Sequence, residues 1–104
     1  MDLTVELKKL QGKRLSTLYQ NKPFEIIQVS SGQILLKTSK ESQRPIPLKE
    51  ITRAWSHLEK TKKLTRSEAR DLGDSAINPT YVMAVLANLP GVTYSLGPIV
   101  LRIV

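Results

Sequence analysis

The groups in this sequence best suited to binding an anion are its basic side chains. Sixteen Lys and Arg residues stand against nine Asp and Glu residues, which gives a net charge of +7. They gather in two clusters: Lys8, Lys9, Lys13 and Arg14, and then Lys60, Lys62, Lys63, Arg66 and Arg70. Such side chains bind phosphate through charge and N–H donors. The alternative is a solvated face that only keeps a small domain soluble.

Residues for catalysis or metal binding are scarce. There is no cysteine, and His57 is the only histidine, with no nucleophile or carboxylate placed beside it by any motif. The five glycines are isolated, so no glycine-rich phosphate loop is present. We therefore expect a protein that is not an enzyme and that uses no metal and no cofactor.

The length of 104 residues and the balance of 40% hydrophobic and 24% charged residues predict a single globular domain. No apolar run reaches the roughly 18 residues of a membrane span, and the first residues lack the pattern of a secretory signal. We therefore expect a cytoplasmic protein that does not associate with membranes. A loop-rich stretch at 39–47 divides residues 1–47 from residues 48–104.

Apolar residues at helical spacing predict three helices. The stripes are Leu3, Leu7 and Leu10; Leu48, Ile51, Trp55 and Leu58; and Val82, Val85, Leu86 and Leu89. Trp55 lies in line with its stripe, which indicates burial in the core rather than stacking on a base, and Phe24 is interpreted in the same way. Tyr19, in a predicted loop, is the better candidate for stacking.

Capping residues predict a further short helix and set helix ends. Thr65 and Glu68 have the spacing of a capping box, and Gly73 ends the helix that follows. Asn78-Pro79 predicts the start of the last helix, with Asn78 as N-cap, and Pro90-Gly91 its end.

Strands are predicted in both halves of the chain. Apolar runs at 24–29 and 34–36 flank the turn 30–32, which favours a hairpin. The other predicted strands are 15–18, the extended segment 44–47, and a closing hairpin of 92–96 and 99–104 around Gly97-Pro98.

The second half of the chain resembles a winged helix-turn-helix. The corresponding segments are Leu48–Lys60, the short strand Lys63-Leu64, Arg66–Leu72, the recognition-type helix Pro79–Leu89 and the wing Val92–Val104. The resemblance implies an α+β fold: an N-terminal helix and a small antiparallel sheet, then a three-helix winged-helix-like unit with a C-terminal β-hairpin. Two departures are a long connection from Gly73 to Asn78 and the absence of any charged residue in 77–101.

The charge and the resemblance together predict non-catalytic binding of nucleic acid, double-stranded DNA in the first place and RNA as an alternative. Lys62, Lys63, Arg66 and Arg70 would hold phosphates. Thr80, Tyr81 and Asn88 would approach base edges. This hypothesis requires folding to bring cations of both halves beside the helix that begins at Asn78.

A second hypothesis is a protein-interaction or dimerisation module, including a homodimer. It is based on the uncharged stretch 77–101 and on the apolar C-terminal strand 99–104, which could pair with the edge of another chain. A third interpretation is that the outer face of the last helix is simply covered by the N-terminal half.

Overall fold

The computed structural model of the chain describes residues 2–73 and 78–103, and within these ranges the protein is α+β. The elements of the first half are α1 (Leu3–Lys8), β1 (Arg14–Ser16), β2 (Pro23–Val29), β3 (Gln33–Lys37) and β4 (Gln43–Pro47). Those of the second half are α2 (Leu48–Thr61), β5 (Lys63–Thr65), α3 (Arg66–Leu72), α4 (Asn78–Ala87), β6 (Val92–Ser95) and β7 (Val100–Ile103).

The first half is a four-stranded antiparallel sheet in the order β1-β2-β3-β4. Along β3, and along β2 as far as Ile27, buried and accessible residues alternate, because successive side chains point to opposite faces. The register of β2 against β3 shifts between Ile26 and Gln28, which interrupts the alternation before the buried Val29. The cross-strand pairs on the buried face are Leu15 with Phe24, Ile26 with Leu36, and Ile34 with Ile46. The predicted hairpin and the extended segment 44–47 are thus confirmed as parts of one sheet.

The second half joins helices to a three-stranded antiparallel sheet. Lys62, with φ of 66°, ends α2 in the left-handed conformation, and β5 follows at once. The sheet order is β5-β7-β6, so β7 is the central strand. The predicted C-terminal hairpin is confirmed, although Val104 lies outside the described residues.

The helix ends agree with the capping signals in α3 and differ in α4. The Thr65 amide donates to Glu68 Oε1 at 2.8 Å, and the Glu68 amide donates to Thr65 Oγ1 at 3.2 Å, so the capping box is confirmed. Asn78 is the first residue of α4, and its side-chain oxygen accepts from Arg44 instead of capping the helix. The N-cap prediction for Asn78 was therefore wrong, because tertiary contacts take up its amide.

One continuous hydrophobic core joins the two halves. It includes Leu7, Ile26 and Leu36 from the first half and Trp55 and Leu86 from the second. The predicted burial of Trp55 is confirmed, as is that of Phe24, whose ring packs edge-on against Tyr81 of α4. The four-stranded sheet is thus packed against the helical half.

A buried carboxylate lies where α2, α3 and α4 meet. Glu50 of α2 is only 3% exposed, and Asn78 Nδ2 donates to its Oε2 at 2.6 Å. A Cβ at Gly73, the residue that ends α3, would lie 2.7 Å from Glu50 Oε1. Since buried carboxylates need well-placed donors, there is little freedom for Glu50 to move away.

We expect Gly73→Ala to lower the free energy of unfolding by about 1–3 kcal/mol, because the added methyl group displaces the Glu50 carboxylate from Asn78. Gly32→Ala is the matched control, since a Cβ there has no atom within 4 Å. Urea denaturation of both variants measures the difference. Equal stability of the two variants would contradict this account of Gly73.

Candidate nucleic-acid interface

Two cations lie directly opposite each other on the exposed face of the three-stranded sheet. Lys63 of β5 is the cross-strand partner of Arg102 of β7, and Thr93 of β6 continues the row. Neither cation pairs with a carboxylate among the described residues. Like charges that lie opposite each other in an antiparallel pair are destabilising. An anion bound between Lys63 and Arg102 would reduce the repulsion between them.

Further cations lie close to Lys63 in the sequence. Lys62 directly precedes Lys63 and is exposed at the end of α2. Arg66 and Arg70 are exposed on α3, four residues apart and therefore on neighbouring turns. All four predicted phosphate ligands thus lie on the segment from the end of α2 through α3, on or next to the strand that faces Arg102.

Arg66 also lines a groove between the two halves of the protein. Its Nη2 donates to Thr80 Oγ1 of α4 at 3.0 Å. The groove has a volume of about 280 Å³, and its walls include Tyr19, Gln20, Met83 and Ile99. Tyr19 is 73% exposed, so an aromatic face and a guanidinium stand in one groove, the pair of groups that stacks a base and holds its phosphate.

The helix α4 is enclosed rather than open to a ligand. Its buried residues occupy all sides of the helix: Asn78, Pro79, Val82, Met83, Ala84, Val85 and Leu86. Tyr81 is half-buried, with its ring centroid 5.2 Å from that of Phe24 and 5.9 Å from the Arg44 guanidinium carbon. The third interpretation from the sequence, that the N-terminal half covers this helix, therefore describes the structure.

The three predicted base-reading residues are used within the protein. Thr80 accepts from Arg66, Tyr81 packs between the halves, and Asn88 Nδ2 donates to the Ala84 carbonyl at 2.8 Å. Asn88 is exposed, but it lies just beyond the last turn of α4. The structure does not present these side chains as one open surface, because the first half packs over α4.

Among the described residues, the cations whose side-chain hydrogen bonds reach α4 are Arg44 from the first half and Arg66 from the second, and Arg44 lies outside the two clusters seen in the sequence. Arg44 of β4 reaches Asn78 at the start of α4, and Arg66 reaches Thr80 in the same first turn. In the N-terminal cluster, by contrast, Lys9 pairs with Glu6 at 2.9 Å and Arg14 lies cross-strand from Glu25. That cluster is partly neutralised by its own neighbours.

Two of these functional candidates were missed by the sequence analysis. Arg102 stands alone after a long uncharged stretch, and only the register of β5 against β7 places it opposite Lys63. Arg44 was assigned only to an extended segment. Its position directly after the polar loop 39–43 gave only a weak indication of a functional role. The contact of Arg44 with α4 depends on how the two halves pack, which the sequence does not show.

His57, the only histidine in the sequence, lies next to a carboxylate in the structure. His57 Nε2 of α2 lies 3.2 Å from Glu68 Oε2 of α3. The pKa of the Glu68 carboxyl is lowered, and the largest cause is the hydrogen bond that it accepts from the Thr65 amide in the capping box. His57 also lowers this pKa. The pair joins two helices, and its carboxylate is already committed to a cap.

Comparison of the chain with protein-family models, with curated proteins and with solved structures found no significant match. Among the described residues no group of three or more His, Cys, Asp or Glu side chains is placed to hold a metal ion. In the same residues, no helix combines the length and the apolar character that crossing a membrane requires.

We expect Glu68→Gln to reduce the loss of stability at acid pH. The pKa of Glu68 is lower in the folded protein than its ordinary value of 4.5, so its stabilisation is present above that value and is lost as the pH falls through the folded pKa. Urea denaturation at pH 7 and pH 3 should therefore show a smaller difference for Glu68→Gln than for the wild type. Glu59→Gln, on the exposed side of α2, is the control, and an equal effect of both variants would contradict the role of Glu68.

Proposed function

We propose that the protein binds nucleic acid without catalysis and that duplex DNA is its principal ligand. The observation that carries the proposal is the cross-strand pair of Lys63 and Arg102, which has no carboxylate partner among the described residues. Phosphate groups would relieve the repulsion between them and release counterions from the DNA. Lys62, Arg66 and Arg70 lie on the segment from the end of α2 through α3 and add positive charge next to this strand in the sequence.

The order of the elements supports a winged-helix-type unit in residues 48–104. Helix α2, strand β5, helices α3 and α4 and the hairpin β6-β7 follow one another, and β5 pairs with β7. In that family the hairpin is the wing. Here its tip is exposed, with Leu96 at 51%, so it is free to lie beside a DNA groove.

Binding of this kind relies on the DNA backbone more than on base edges. Because α4 is packed under the first half, Thr80 and Tyr81 are not available to read a major groove. Phosphate contacts fix position and orientation but carry no sequence information. We therefore propose weak sequence preference, with Tyr19 available to stack on an unpaired base in DNA or RNA.

The test compares binding of a DNA duplex of about 20 base pairs across salt concentrations by fluorescence anisotropy. The wild type should weaken steeply between about 50 and 200 mM salt. Lys63→Glu should weaken binding at least about tenfold and reduce the salt slope by about 1 or more. The same variant should have an equal or slightly higher free energy of unfolding, by about 0.2–1 kcal/mol, since the new carboxylate would face Arg102.

Lys13→Glu is the matched control, with the same change of charge in the turn before β1. It should retain most of the affinity and most of the salt slope. A flat salt response of the wild type, or equal losses in both variants, would overturn the proposed interface. Single-stranded DNA and RNA of equal length serve as comparison ligands.

A second candidate function is self-association through the hairpin. The strand β6 lies at the edge of its sheet, and Tyr94 on it is 52% exposed. The C-terminal strand β7 is central and pairs with both β5 and β6, so within this sheet it offers no edge to another chain. The edge strands of this sheet are β5 and β6, and the edge of β6, where Tyr94 is exposed, is the one to which a second copy could add a strand.

If the edge of β6 associates, light scattering should show a dimer at high protein concentration. Tyr94→Lys should return it to a monomer, because a charge on an edge strand disfavours pairing. Lys13→Glu should leave the oligomeric state unchanged. A monomer at every concentration would exclude this second function.

A further inference from the structure

A polar hollow lies where the four-stranded sheet meets the start of α4. Its volume is about 290 Å³. The described residues that line it include three cations and three hydroxyl side chains, and none is acidic: Lys22, Lys40, Arg44, Thr38, Ser39 and Ser42. Lys22 comes from the loop between β1 and β2, and the others come from the β3–β4 connection and from β4.

Arg44 is the best-positioned cation of the hollow. It is half-buried, its Nε donates to Asn78 Oδ1 at 3.0 Å, and its guanidinium carbon lies 5.9 Å from the centroid of the Tyr81 ring. Its other N–H donors have no partner among the described residues. A partly buried guanidinium held by a neutral amide, with no carboxylate bound to it there, is ready to bind an anion.

Glu50 acts on Arg44 indirectly. Its carboxylate accepts from Asn78 Nδ2 at 2.6 Å, which orients the amide so that its oxygen faces Arg44. The amide thus stands between the buried negative charge and the guanidinium. Arg44 is therefore held in place through the Asn78 amide, which leaves its charge available to an anion.

The loop after β3 directs its one acid away from the hollow. Glu41 has φ of 64° and pairs with Lys37 at 2.8 Å, and both line a different hollow, next to Arg14. Two backbone hydrogen bonds fix the turn: Thr38 N to the Ser42 carbonyl at 2.8 Å, and Glu41 N to the Thr38 carbonyl at 3.0 Å. Lys40 and the hydroxyl side chains are left to line the polar hollow.

The backbone that carries Lys22 is also fixed. The Thr17 amide donates to the Lys22 carbonyl at 2.9 Å, and the Lys22 amide donates to Thr17 Oγ1 at 2.9 Å. Thr17 is itself buried, so the position of Lys22 beside Tyr81 and Arg44 does not depend on a loose loop.

We propose that this hollow binds a phosphate group carried as a monoester or as free phosphate. Its three cations more than balance the charge of a phosphate dianion, and the guanidinium and hydroxyl donors match its several acceptor oxygens. The site shares no residue with the basic surface of the three-stranded sheet. It therefore goes beyond the proposed DNA binding and can exist without it.

The first arm of the test titrates inorganic phosphate into the folded protein while amide signals are followed by NMR. The amides of Lys22 and of residues 38–44 should shift along a single saturable curve. Lys22→Ala combined with Lys40→Ala should weaken binding at least about tenfold, as expected for losing charge-assisted contacts. Lys8→Ala combined with Lys13→Ala removes the same charge elsewhere and should leave affinity unchanged.

Arg44 is kept in these variants because it also holds Asn78, and thermal unfolding checks that both double variants are folded. Absence of saturable shifts at these amides up to about 10 mM phosphate would overturn the proposal. Equal weakening in the two double variants would overturn it too, since the binding would then be a general charge effect.

The second arm identifies the source of the phosphate. A short oligonucleotide with a 5′-phosphate is compared with the same oligonucleotide ending in a 5′-hydroxyl group. Tighter binding of the phosphorylated form than of both the 5′-hydroxyl form and inorganic phosphate, lost in Lys22→Ala with Lys40→Ala, indicates a nucleic-acid end. Equal binding of inorganic phosphate and the phosphorylated form supports a free or small phosphorylated ligand. Failure of duplex binding at Lys63 leaves either result standing, so the two proposals are tested separately.

Discussion

The structure depends on a chain of two hydrogen bonds that joins three elements across the protein. Glu50 of α2 accepts from Asn78 of α4, and Asn78 accepts from Arg44 of β4. A carboxylate that is 3% exposed requires donors of this kind, because burial without them is strongly unfavourable. These hydrogen bonds fix one point at which the four-stranded sheet meets the helical half, and the contact of Phe24 with Tyr81 reinforces that position.

This packing explains why the candidate functional surfaces lie where they do. The sheet covers α4, so the residues of that helix are used in the core and between the halves. Charged groups are instead exposed on the outer face of the three-stranded sheet, along α3, and around the hollow next to Arg44. On the three-stranded sheet and around the hollow next to Arg44, cations lie close together without carboxylate partners among the described residues. Such sites are where binding an anion relieves repulsion rather than displacing an existing ion pair.

Much of the fold was predictable because local signals were strong. The stripe through Ile51, Trp55 and Leu58 predicted α2, the pair Thr65 and Glu68 predicted the start of α3, and apolar runs around a turn predicted the central hairpin of the first half. The candidate site was less predictable. Lys62, Lys63, Arg66 and Arg70 were found from charge alone, whereas Arg102 and Arg44 were not, since each acquires its meaning from a residue distant in sequence.

The amino-acid sequence by itself determined most of the elements, the capping box of α3 and the excess of positive charge, because these depend on spacing over a few residues and on composition. Tertiary structure alone decided that α4 is enclosed, that Lys63 faces Arg102, and that Asn78 bridges a buried acid and a guanidinium instead of capping its helix. Strand register and packing between halves bring together residues far apart in the chain, as in Arg44 with Asn78 and Lys63 with Arg102. No local pattern encodes such pairings, because they follow from the best joint burial of the whole core.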